Sequence, residues 1–145
     1  MSEVDADARV KLFEEWEKGG DFSSRWTIKA PIDGLNKILA AHYPAYTNAI
    51  PDVVRASIFN KDVEAWEKSG VMPNLVLLQL PSDHTYGTRP GATSPKAMVA
   101  DNDYAVGQVV EALSKSRRKN VDWASQIQEW FHDWSALGWF CRIKK

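Results

Sequence analysis

The stretch Asn74–Gly91, "NLVLLQLPSDHTYGTRPG", decides how this chain reads. Its first half, Leu75 to Leu80, is short, apolar but for Gln79, and flanked by Pro73 and Pro81. A strand buried on both faces has this pattern, as in a parallel sheet covered by helices. Six residues are short for a helix. The second half packs an acid, a histidine, hydroxyls and an arginine between two prolines and two glycines. Downstream, Ser94 is a good helix cap and Pro95 suits the first helical position. Met98, Ala105, Val106, Val109, Val110 and Leu113 then form one apolar stripe to Lys115. The quoted loop therefore joins a strand to a helix. In open α/β sheets, ligands bind outside the carboxyl ends of strands, at loops of this kind.

Three more helices are expected before this unit. Residues 5–18 place Val10, Phe13 and Trp16 at helical spacing and stop at Gly19-Gly20. Residues 33–42 offer Asp33 as cap and Leu35, Ile38 and Leu39 as stripe. Pro44 disfavours helix at Tyr43. Residues 52–68 turn Val54, Ile58, Phe59, Val63 and Trp66 inward, and Gly70 closes them. At the other end, Trp123, Ile127, Trp130, Trp134 and Leu137 define an apolar seam over 122–137. Seven tryptophans are many for 145 residues. That seam suggests self-association or a protein partner bound through Trp123, Trp130 and Trp134.

Composition narrows the function. The net charge of −1 and the lack of a clustered basic face argue against nucleic acid; Arg117-Arg118-Lys119 reads as solvated surface. No apolar run approaches the ~20 residues of a membrane span. The acidic start "MSEVDADARV" is unlike a signal peptide, so a cytoplasmic location is expected as written. Cys141, the sole cysteine, excludes an internal disulfide and a Cys-rich zinc site.

Several chemistries fail on spacing. Ser82, Asp83 and His84 are consecutive, whereas a hydrolytic triad draws its members from separate segments. No Lys-Ser/Thr pair follows Gly91 to complete a phosphate loop. Asp101-Asn102-Asp103 lacks the sixth-position glycine and late glutamate of a calcium loop and lies in a helical pattern. His42 and His132 read as packing or surface residues. Asp83-His84 remains. Both types bind divalent metals, and a histidine contacts a phosphoryl oxygen or moves a proton. One pair is no metal site, since zinc takes three or four ligands.

The segment Met72 to Ser116, "MPNLVLLQLPSDHTYGTRPGATSPKAMVADNDYAVGQVVEALSKS", resembles the phosphoesterase family of the alkaline phosphatase superfamily. The likeness is to the phosphatase-like module fused to a β-propeller in some bacterial proteins, and more distantly to acid phosphatases and phospholipases C. With "SIFNKDVEAWEKSGVMPN" from Ser57 it covers about residues 45–116; the first 44 match loosely. It implies a domain over 1–116, an α/β/α sandwich, and metal-dependent hydrolysis of phosphate esters. It places His84 at the family's phosphate-contacting histidine, with Asp83 and Thr85 orienting it. Arg89 offers a fork to a phosphate. A divalent metal is expected of the whole family. The chain itself lacks the family's early metal-binding segment, its nucleophile segment and its later paired acids. It therefore reads as a fragment or rearranged relative that binds no metal alone and is inactive, with a divergent Trp-rich helical tail over 117–145. The resemblance leaves export of full-length relatives open. The alternative is a small non-catalytic interaction domain using the tail.

Overall fold

A computed structural model describes residues 6–116 and the backbone of residues 139–142. Three α-helices dominate: α1 (Ala6–Glu17), α2 (Asp52–Ser69) and α3 (Pro95–Lys115). Strand β1 (Leu75–Leu78) lies between α2 and α3 and pairs antiparallel with β2 (Trp139–Arg142). Leu75 stands opposite Arg142 and Leu78 opposite Trp139.

The helices α2 and α3 pack on each other. Their contact holds the core: Val53, Val54, Ile58, Phe59 and Val63 from α2 meet Ala105 and Leu113 from α3, with Leu78 and Leu80 beneath. Phe13 and Trp16 of α1 pack against this cluster as partly buried residues. The start of α3 follows its sequence signals. Ser94 Oγ accepts a hydrogen bond from the Ala97 amide, and Pro95 takes the first helical position. At the other end of α2, Gly70 adopts φ 73°, the left-handed cap that glycine supplies without steric cost. Its amide donates to the Trp66 carbonyl at 2.9 Å.

Three expectations are corrected. No α-helix spans 33–42; only a single 3-10 turn, Asp33–Lys37, forms there. Asn36 explains this. Its side chain accepts from the Ala30 amide at 2.8 Å and donates to the Ala30 carbonyl at 3.2 Å. Such side-chain bonds offer the backbone an alternative to a helix. Leu35 and Ile38 are exposed, as is Val10 on α1.

The second correction concerns the strand. It stops at Leu78 and is not covered on both faces. Leu75 and Leu77 are exposed, at 56% and 65%, while Leu78 is buried. Alternation of this kind marks a half-covered antiparallel ribbon. A helix-rich chain with a two-stranded antiparallel sheet is what the described residues form, and the parallel arrangement expected of β1 is absent from them.

Third, the tail read as helical over 117–145 carries a strand, Trp139–Arg142, just beyond the helix expected over 122–137. The helix over 122–137, the apolar seam and His132 lie outside the described residues. Among the described residues no helix is long and apolar enough to cross a membrane.

Candidate functional site

The loop after β1 is anchored from below by buried polar groups. A 3-10 turn, Pro81–Asp83, opens it, and Pro81 and Ser82 are buried. The Ser82 amide donates to Asp52 Oδ2 at 2.9 Å. The Ser82 hydroxyl donates to Asp101 Oδ2 and accepts from Arg9 Nη2, both at 2.8 Å. Asn102 Nδ2 donates to Asp52 Oδ2 and to the Leu80 carbonyl, both at 2.9 Å. The loop base is thus held by α1, α2 and α3 together.

Asp101 is the hub of this arrangement. Helix α2 begins after Pro51, which has no side chain to cap it. Asp101 reaches across from α3 instead: its carboxylate accepts from the Asp52 amide at 2.7 Å and the Val53 amide at 3.1 Å. First-turn amides have no partner within the helix, and a carboxylate there also meets the positive end of the helix dipole. The same carboxylate forms a 2.5 Å ion pair with Arg9, both side chains under a tenth exposed. Arg9 also donates to the carbonyls of Asn48, at 2.6 Å, and Ile50.

A second buried cation, Arg55, fixes the segment facing the loop. Its Nη atoms donate to the carbonyls of Pro44 (2.9 Å), Ala45 (2.8 Å) and Thr47 (3.0 Å). Its charge lies 5.6 Å from the centre of the Tyr43 ring, in the range of a cation–π contact. Burial lowers the Arg55 pKa from its ordinary value and raises that of the Tyr43 phenol, which donates to the Gln79 carbonyl at 2.8 Å. Asp52 Oδ1 faces Arg55 Nε at 3.8 Å, and neither atom has a hydrogen bond. Burial pushes the Asp52 carboxyl up to about 6; the bonds from Asn102 and Ser82 oppose the shift.

Above this base the chemistry-bearing residues reach solvent. His84 follows the turn, with its amide on the Pro81 carbonyl at 3.0 Å and its side chain 46% exposed. Asn48 donates to the His84 carbonyl, which ties the 44–48 segment to the loop. Tyr46 lies beside the imidazole, ring centres 6.3 Å apart at 65°. Asp83 Oδ1 is 3.8 Å from the imidazole Nε2, beyond a hydrogen bond. Thr85 Oγ1 accepts from the Gly87 amide at 3.4 Å rather than meeting His84. The expected orienting bonds from Asp83 and Thr85 therefore do not form. Arg89 is exposed, with its amide on the Tyr86 carbonyl. Gly87 and Gly91 both take positive φ, which lets the loop double back.

Ser82 cannot serve His84 as nucleophile, because it is buried and its hydroxyl proton is directed at Asp101. His42, read as a packing or surface residue, pairs with Asp62 through Nε2 at 2.9 Å. Among the described residues no group of three or more His, Cys, Asp or Glu side chains is placed to hold a metal ion. Asp83 and His84 alone do not fit a divalent-metal site.

Sequence reasoning missed Arg9, Tyr46, Asn48, Asp52 and Arg55, and weighed Asp101 and Asn102 only as a failed calcium loop. The available signal was charge inside apolar patterning: Asp52 and Arg55 share a helix with Val53, Val54 and Ile58, and all are buried. Comparison with known proteins finds no family model, curated protein or solved structure that matches this chain.

Proposed function

We propose that the chain carries the phosphoryl-contacting wall of a metal-dependent phosphoesterase site, with His84 as the contact. In this reading β1, the loop and α3 belong to an α/β/α sandwich, and the nucleophile and metal ligands are not among the described residues. The observation that carries it is the anchored loop: five buried or half-buried polar side chains, Arg9, Asn48, Asp52, Asp101 and Asn102, fix Leu80, Ser82 and the His84 carbonyl, while the imidazole itself is left facing solvent. A polar connection between elements needs no such foundation, whereas a recognition group is effective only when held in place. As imidazolium, His84 donates a charge-assisted hydrogen bond to a phosphoryl oxygen.

The test has two arms on the purified full chain. Titration with inorganic phosphate, followed by the imidazole signals in NMR, is expected to shift His84 and to leave His42 unmoved. With Zn, Mn, Mg or Ca added, hydrolysis of an aryl phosphate is expected to stay at the buffer rate. A His84 signal indifferent to phosphate sinks the contact. Metal-dependent turnover that disappears in His84→Ala overturns the expected inactivity of the chain alone.

A further inference from the structure

Tyr46 is the feature that the phosphate contact leaves unexplained. The residue is 55% exposed, yet the backbone around it is held by buried side-chain hydrogen bonds. Arg55, itself 1% exposed, grips the carbonyls on either side of it, Ala45 and Thr47, and that of Pro44. Thr47 Oγ1 accepts from the Ala49 amide, closing a short turn just beyond. Asn48 then bonds the His84 carbonyl, so ring and imidazole are placed by one connected set of bonds. Burying a guanidinium is costly and needs good hydrogen bonding to offset it. Here its bonds fix a segment whose exposed product is one aromatic ring standing at 65° to the imidazole.

We propose that Tyr46 is a specificity-determining residue of the His84 site. Its ring is the surface on which the aromatic alcohol of a phosphate monoester stacks while the phosphoryl group meets the imidazole. This rests on the reading of His84 as the phosphoryl contact. The two rings meet at 65° and both are partly exposed: one offers an aromatic surface, the other the imidazole nitrogens. Aromatic pairs favour offset or edge-to-face contact with a ring presented in this way. A rigid platform binds with little loss of conformational entropy, which is the advantage of fixing Tyr46 in advance.

The experiment compares inorganic phosphate, glycerol 1-phosphate and phenyl phosphate, titrated into the full chain and followed by NMR at His84 and Tyr46. Phenyl phosphate is expected to bind about fivefold more tightly than glycerol 1-phosphate, the size of one aromatic pair. Tyr46→Phe keeps the ring and is expected to keep that ratio. Tyr46→Leu is expected to bring it close to one, with backbone amide signals elsewhere unchanged as the check on folding. Equal affinities for the two esters, with His84 responding to both, overturn the role of Tyr46 and leave the phosphate contact standing. Loss of the ratio in Tyr46→Phe as well means that the phenol rather than the ring is used, and overturns the stacking. Failure of inorganic phosphate to move His84 removes both.

Discussion

Asp52 shows how one carboxyl sets the pH behaviour of the site's foundation. It is fully buried, and its neutral form is favoured in the folded chain, with the pKa lifted from 3.8 to about 6 by burial. The sign follows from linkage. Below about pH 4 the group is protonated folded or unfolded, and its stabilising contribution is complete. As pH rises through 6 the folded carboxyl must ionise in a poorly solvated place, and the contribution is lost. The shift is worth about 3 kcal/mol. Asp52→Asn keeps an acceptor for the Ser82 amide and removes the titration. Urea unfolding of this variant is expected to lose the Asp52-dependent fall in stability between pH 4 and 6. A fall of unchanged size in the variant would assign it to another group. Arg9 and Asp101 form a different kind of pair, since each loses its one ion-pair partner among the described residues when the other goes. Asp101→Ala is expected to cost about 3–5 kcal/mol, the usual penalty for a buried charge left alone. Replacing Arg9 by Met as well is expected to recover part of that loss, so the two costs should not add. Strict additivity in the double variant would mean that the ion pair is energetically idle.

The elements differ in how far the sequence alone reveals them. Helix α3 was legible to the residue, because Ser94 and Pro95 act locally and the stripe from Met98 to Leu113 meets a real core. Helix α2 was equally plain in extent, with Gly70 as its left-handed end. What caps its start was not, for Asp101 arrives from another helix and no local pattern announces it. The segment 33–42 failed for the opposite reason. Leu35 and Ile38 have helical spacing, but Asn36 bonds back to Ala30 and both apolar side chains are exposed. The strand is legible by half: its apolar run predicts cover on both faces, yet Leu75 and Leu77 face outward. Of the candidate site, His84 and the glycines of its loop were legible as residue types; its partners were not, since Tyr46 and Asn48 lie far away in sequence. The pairing of β1 with β2 has its own consequence. A chain ending at residue 138 leaves β1 without its Trp139–Arg142 partner and with two exposed leucines on a free edge, a known route to association. Light scattering should find this variant larger or more polydisperse than the full chain at equal concentration. An unchanged size would show that the pairing protects nothing.

At the scale of the whole molecule, α1, α2, α3 and the loop meet at two carboxylates, Asp52 and Asp101. Most helix starts fray, and loop amides usually exchange their protons with solvent readily. Here three such amides are sealed: those of Asp52 and Val53 on Asp101, and that of Ser82 on Asp52. None can be released without parting α2 from α3 or lifting the loop from both. Native-state exchange in deuterated buffer should therefore find these three protons among the slowest in the chain, leaving together with a common opening free energy close to that of global unfolding. Dispersed, fast rates at the three positions would mean that the junction opens piecemeal. A common slow rate makes the start of a helix and the root of a loop the clock by which the opening of the entire fold is timed.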